Sequence, residues 1–202
     1  MSCQRLFAWG LSKGGAAHER LVEQRKRGLL GQLAGTVLEI GPGTGANLGY
    51  YPRTVRLLGV EPNPHMHKYL RREAERLGRD IEIREGTAER LDVPDAAVDA
   101  VVSTLVLCSV RDQQAALVEV LRVLRPGGRF VFVEHVAAPR GTWRRRLQRA
   151  MRPVWSLLGD GCQPDRETWR VIELAGFAQV VCDHFPVPVP VVSPHIAGWA
   201  VK

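Results

Sequence analysis

At residues 37–45 an apolar run breaks into alternating glycines, Val37-Leu38-Glu39-Ile40-Gly41-Pro42-Gly43-Thr44-Gly45, and few folds accommodate that junction. Apolar residues ending in such a loop read as a buried strand turning sharply into a helix. Glycine lets the backbone turn tightly and approach a ligand closely. The glycine spacing alone also fits an ordinary strand-to-helix turn. Two acidic residues narrow the choice. Glu39 stands just before the loop, and Glu61 ends the next apolar run. A carboxylate in that second position can accept both hydroxyls of a nucleoside ribose.

The rest of the chain keeps the same rhythm. Residues 36–40, 55–60, 81–85, 98–104 and 129–135 read as strands, with a helical period over residues 64–77 and another behind Asp112, whose apolar stripe is Ala116, Val120, Val123 and Leu124. Arg125-Pro126-Gly127-Gly128 reads as the end of that helix. Alternating strands and helices predict a parallel sheet covered on both faces. The tail departs from this: residues 178–185 and 195–201 read as two strands joined by a proline-rich loop with no helix between. Such a pair runs antiparallel.

Composition narrows the function classes. The 202 residues carry a formal net charge of +7, and 45% are hydrophobic, enough for one core. Two basic windows hold much of the excess, Arg25–Arg27 and Arg144–Arg146 with Arg140, Arg149 and Arg152 around it. They read as solvated helix faces, and without an aromatic-interleaved basic stretch no nucleic-acid partner is expected. Cys3, Cys108, Cys162 and Cys182 form no C-x-x-C pair and no zinc-like spacing. Reduced thiols, a cytoplasmic location and no metal site are expected. No secretory signal and no bilayer-length apolar run is visible.

A nicotinamide dinucleotide fold is the natural rival. The loop lacks the usual third-glycine spacing, Pro62-Asn63-Pro64 follows Glu61 directly, and Gly86-Thr87-Ala88-Glu89 follows the third strand. Taken in order with Val98-Asp99 and Leu124–Gly128, these segments resemble the class I S-adenosylmethionine-dependent methyltransferases. The resemblance implies a Rossmann-like α/β fold. Its sheet has seven strands, mostly parallel with an antiparallel last strand, and helices on both faces. One domain would span residues 1–202, with an N-terminal helical segment over about residues 1–35. S-adenosyl-L-methionine would be the cofactor and S-adenosyl-L-homocysteine its product. The implied cofactor contacts are Glu39, Gly41, Gly43, Gly45, Asn47, Glu61, Pro62, Thr87, Ala88, Thr104 and Leu105. Thr87 stands where that family usually carries an acidic residue, which leaves the adenine edge to the backbone around Ala88.

Residues 104–110, 134–138, 155–162 and 194–202 are similar to the methyltransferase-like proteins that methylate alkyl thiols. That implies a small lipophilic acceptor, a thiol sulfur in the first reading. An oxygen, nitrogen or carbon of a quinone, lipid or secondary metabolite is the alternative. Animal members carry an N-terminal membrane-anchoring segment, and none is expected here. In a fold of this kind the acceptor sits beyond the carboxyl ends of the strands, and residues 139–165 would form a lid. Trp143, Leu147, Ala150, Met151, Val154, Trp155 and Leu158 recur on one helical face, with the arginines off it, and Pro153 is expected to split the segment. That face either packs on the core or covers the acceptor and touches an anionic membrane. His135 and Asp160 are the candidates to assist the acceptor. His135 could equally cap a strand end, and Asp160 could make an Asx-turn with Gly161. Cys162 reads as a small buried hydrophobe.

Overall fold

The computed structural model describes residues 3–202, apart from the side chains of residues 3 and 15–17, so the expectation for the Cys3 thiol lies outside the described residues. A long helix, α1 (Cys3–Leu30), precedes β1 (Thr36–Ile40) and β2 (Arg56–Val60). Then come α2 (Pro64–Leu77), β3 (Ile81–Arg84), β4 (Val98–Thr104), α3 (Gln113–Val123) and β5 (Leu124–His135). The chain closes with α4 (Trp143–Leu158), α5 (Thr168–Leu174), β6 (Gln179–Pro186) and β7 (Pro194–Val201). The seven strands form one sheet in the order β3-β2-β1-β4-β5-β7-β6, with β7 antiparallel to both neighbours and the other pairs parallel. The expected architecture is the one observed.

Local chemistry explains the elements. Asn63 accepts from His65 N at the start of α2, with Pro64 as its first residue and Gly78 at its left-handed end. Asp112 accepts from both Gln114 N and Ala115 N at the start of α3. The period of two along each strand divides the core between the faces. Leu38, Ile40, Val101, Phe130 and Phe132 pack against α3 and Ile172 of α5. Val37, Ala100, Val102 and Val131 pack against Leu30, Leu70 and Ala74 on the other face. Within α1 the Lys26 side chain is buried and its ammonium bonds both oxygens of Glu19 at 3.0 and 2.8 Å. No described helix is long and apolar enough to cross a membrane.

Four local expectations are corrected. Arg125–Gly128 does not merely end α3. It lies inside β5, where Leu124 pairs with Val98 and the register shifts before Ala100 pairs with Arg129. Pro153 does not split the helix either: α4 runs unbroken from Trp143 to Leu158. Proline removes the N–H that would bond the carbonyl of Arg149, but both residues are exposed and water can take that bond. The apolar stripe of α4 is not its packed face. Arg145 and Gln148 are the buried residues, whereas Trp143, Val154, Leu157 and Leu158 are exposed. Gln148 anchors the helix by accepting from Ala138 N at 2.7 Å and donating to Val136 O and Val191 O. Finally, the short helix α5 has no counterpart in the strand-and-helix reading.

Candidate active site

The order of strands reverses between β1 and β4, and α/β sheets bind ligands in the crevice at that switch. The glycine loop leaves β1 there. Gly41 N bonds Val60 O at 2.8 Å, tying the loop to β2. Gly41 and Gly43 have φ of +60° and +56°, which disfavours any side chain. A Cβ on Gly41 would also stand 2.7 Å from Val106 Cγ2, whereas one on Gly43 would meet nothing nearer than Leu11 Cδ2 at 3.6 Å. Space is therefore kept at Gly43 for something other than the protein's own packing. Gly45 closes the loop through its N–H to Pro42 O.

Glu61 faces this loop. It is buried, with Oε2 accepting from Gly43 N and Oε1 from Asn63 N, both at 2.9 Å. Burial raises its pKa, against the pull of those two N–H groups. Each oxygen retains capacity for a further donor. Pro62, exposed, and Asn63, buried, continue the wall. Glu39 is more deeply enclosed: Asn47 Nδ2 donates to its Oε1 at 2.6 Å and the Tyr51 hydroxyl to its Oε2 at 2.8 Å. Burial pushes Glu39 up to about 6. Asn47 Nδ2 also reaches Thr104 Oγ1 at 3.0 Å, linking the ends of β1 and β4. Asn47 Oδ1 is buried without a partner, an acceptor that the protein alone leaves unused.

Beyond β3, Thr87 is exposed and Ala88 buried, while Glu89 Oε1 turns away to Arg111 N at 2.7 Å. Leu105 has φ of +57° and Asp160 of +48°. Strained non-glycine backbone of this kind gathers at functional sites. The expected Asx-turn at Asp160 is absent, because Gly161 N bonds Ser156 O and Cys162 N bonds Gly159 O. Its carboxylate instead lies 3.5 Å from Asn63 Nδ2, on the Glu61 side of the crevice.

The sequence reading overlooked the first turns of α1. Asn63 Nδ2 donates to Gln4 O at 3.2 Å, and Leu11 is the nearest side chain to the Gly43 space. Helix α1 thus lies across the mouth of the glycine loop. No motif signals this, because the helix meets the loop through one backbone carbonyl and one leucine.

On the other side of β4, His135 at the end of β5 meets Cys108 and Cys162. Its Nε2 lies 3.0 Å from Cys162 Sγ, and all three residues are buried. His135 contacts Cys162 and Asp160 contacts Asn63, and no hydrogen bond joins the two candidates among the described residues. Cys162 is pulled below the usual thiol range by its hydrogen bond with Cys108, with burial opposing. The same bond, together with burial, pushes the Cys108 thiol well up. Burial alone would lower His135, but the sulfur of Cys108 beside it turns the net shift upward. Cys162 is buried, as expected, and its sulfur faces a histidine. Glu134 supports this side by accepting from Ser103 Oγ, Val106 N and Leu107 N.

Residues 38–132 match the family model described as a methyltransferase domain. The thiol S-methyltransferase TMT1A of Homo sapiens is 39% identical over 99% of this chain and 87% of its own length. The chain belongs to the thiol S-methyltransferase family. The TMT1B enzyme of Mus musculus is 40% identical, with the same coverage on both sides. Among solved structures, the YcgJ protein from Bacillus subtilis superposes with a TM-score of 0.72 at 19% identity, covering 92% of this chain and 99% of that one. A geranyl diphosphate methyltransferase, in complex with its diphosphate and sinefungin, gives 0.70 at 18% identity over 88% of this chain and 76% of that one. At such identities the structures establish a shared fold. This family member is a class I methyltransferase dependent on S-adenosylmethionine, and its glycine-loop crevice sits at the switch point where that fold binds ligands.

Proposed function

We propose that this chain transfers the methyl group of S-adenosylmethionine to the sulfur of a small lipophilic thiol. The observation that carries the reading is the 39% identity maintained over 99% of the chain, well beyond the methyltransferase domain at residues 38–132. The added length includes β7, α4 and the Cys162 loop, the parts that would bound the acceptor side.

The crevice fits the cofactor on its own geometry. Glu61 would take the ribose hydroxyls on the free lone pairs of its oxygens. The space at Gly43, flanked by Gly41 and Gly45, would let the cofactor lie against bare backbone. The unpartnered Asn47 Oδ1 would accept from the ammonium of the methionine end, with Glu39 and Thr104 holding the Asn47 amide in place. Pro62, Thr87 and Ala88 would line the adenine and Leu105 the methyl end, and the first turns of α1 would close over them. When bound, the cofactor supplies an already activated methyl group. The chain's task is therefore to orient the acceptor and exclude water. His135 would accept or share the thiol proton at Nε2, and Asp160 would act from the Asn63 side as a positioning group. After transfer, S-adenosyl-L-homocysteine would leave by the same mouth.

Residues 139–165 would serve as the cover. Trp143, Val154, Leu157 and Leu158 are exposed on α4 beside Arg144, Arg146, Arg149 and Arg152. That combination supports a lipophilic acceptor taken from, or near, an anionic lipid surface. Mass spectrometry of products from a mixed panel of thiols, phenols, amines and quinones tests the assignment. Methyl thioethers from aliphatic or aromatic thiols are expected. Methylation confined to phenols, amines or quinones would move the enzyme to another acceptor atom.

A further inference from the structure

We propose that Cys108, His135 and Cys162 form a three-ligand site for a soft divalent cation, zinc above all, with its fourth position open to an incoming thiol. The sulfur and ring-nitrogen atoms of the three residues all lie within 4.8 Å of one another. In tetrahedral zinc sites, Zn–S of about 2.3 Å and Zn–N of about 2.0–2.1 Å separate neighbouring ligand atoms by roughly 3.5–3.8 Å. His135 Nε2 and Cys162 Sγ stand at 3.0 Å, so they need open by less than about 1 Å to admit the ion. The donor set also selects the metal. Two sulfurs and an imidazole suit zinc or copper(I), not calcium or magnesium. Two thiolates and a neutral imidazole would balance a dication, so the filled site would bury no net charge. Among the described residues, this is the group of three whose donor atoms converge in this way.

The frame around the ligands is fixed. Gln163 N bonds Cys108 O at 2.9 Å, joining the two cysteine loops through backbone. The Arg166 guanidinium bonds Leu107 O and Val110 O at 2.9 and 2.6 Å, clamping the segment that carries Cys108. Glu134 holds the same segment from below through Val106 N and Leu107 N. His135 is the last residue of β5 and pairs with His195 of β7. Its Nδ1 is buried without a partner. The usual outer hydrogen bond to a ligating histidine is thus missing, which sets the affinity below that of a fully supported site. Leu105 O, which accepts from Cys108 Sγ at 3.5 Å, and Ser109 Oγ at 3.6 Å are the oxygens nearest that sulfur. Neither a backbone carbonyl nor a hydroxyl is a usual zinc ligand, which leaves the fourth position to an exogenous donor.

That last step rests on the thiol reading above. A thiol entering the fourth position would bind as thiolate and lose its proton to solvent, because His135 Nε2, once a metal ligand, could no longer take that proton as it would in the metal-free site. A lone pair on that sulfur would then form the new S–CH3 bond as the bond from methyl to the sulfonium sulfur breaks, releasing a neutral thioether. No oxidant or reductant is involved.

The test uses the reduced full-length protein loaded with cobalt(II) as a spectroscopic stand-in, alongside elemental analysis after zinc loading and desalting. About one equivalent of zinc per chain is expected, with a cobalt–thiolate charge-transfer band in the near ultraviolet. Cys108→Ser and Cys162→Ser should each weaken the band and lower zinc affinity by about tenfold or more, at unchanged circular dichroism. Cys182→Ser, remote on β6, should leave both intact. Adding a small alkyl thiol should shift the cobalt bands. Absence of uptake by the reduced wild-type protein, or recovery of a Cys108–Cys162 disulfide in place of a metal site, overturns the proposal. So does binding that survives the double cysteine variant. Metal uptake without a thiol-induced shift retains the ion and rejects the open position. Thiol methylation undiminished in metal-free protein rejects the ion's role while leaving the thiol S-methyltransferase reading standing.

Discussion

Glu61 reaches its two backbone partners, Asn63 N and Gly43 N, across 2 and 18 residues of chain, all within the β1–α2 segment. His135 meets Cys162 across 27 residues, after a helix has been inserted, and Cys108 joins them from the far side of α3. The first arrangement uses backbone amides and left-handed glycines, so one short motif carries it. The second uses side chains delivered by three separate segments and clamped by Arg166, Gln163 and Glu134. The Glu61 side of the crevice is therefore pre-formed by local turns. The His135 side draws on the loop behind α4 as well as on β5, so damage should stay on the side where it is made.

Gly43→Val is the most disruptive test. It fills the open space beside Glu61, and affinity for S-adenosylmethionine should fall more than about a hundredfold by calorimetry, roughly 2.7 kcal/mol. It should also cost stability, about 1–2 kcal/mol or more, because φ at this position is +56°. Metal loading at Cys108 and Cys162 should not change. Gln148→Leu attacks the other side. It strips partners from Ala138 N, Val136 O and Val191 O, at about 1–3 kcal/mol for each group left buried and unpaired. The melting temperature should drop by roughly 6 °C or more and KM for the acceptor should rise, with cofactor affinity unchanged. Equal losses on both sides in either variant would break the comparison.

Glu61→Ala is expected to weaken cofactor binding by roughly ten- to hundredfold, as for the loss of a charged hydrogen-bond partner worth about 1.5–3 kcal/mol. Unchanged affinity in a folded variant would mean the ribose lies elsewhere. The smallest effect belongs to Glu39. Its pKa near 6 in the folded chain exceeds the ordinary carboxyl value of 4.5. Its contribution to stability is therefore full below about pH 4.5 and is lost as pH rises through 6, a change of about 2 kcal/mol. Glu39→Gln cannot ionise, so urea unfolding across that window should show a flatter pH dependence than the wild type. Parallel curves would place the titration on another group.

The legible parts of this molecule were those whose signal lies within one element or one turn. Residues 37–45 announced the crevice because a strand ending in left-handed glycines has few uses. Asp112 and the stripe behind it announced α3 for the same local reason. The two tail strands, with only a proline loop between them, had to pair antiparallel. Helix α4 misled: its apolar stripe is regular, yet the fold buries Gln148 and Arg145, because three backbone groups around the end of β5 and the proline loop need partners that a leucine lacks.

Cysteine spacing likewise gave no sign of the Cys108–His135–Cys162 cluster, since side chains on three separate segments leave no spacing to read. Periodicity, caps and glycines determine which segments become strands and helices, and hence that a β1/β4 crevice with Glu61 at its edge must exist. Only the tertiary structure brings Leu11 over the glycine loop and sets His135 beside Cys108 and Cys162. Those contacts depend on the three-dimensional path of the chain between the elements, and no local energy term encodes that path.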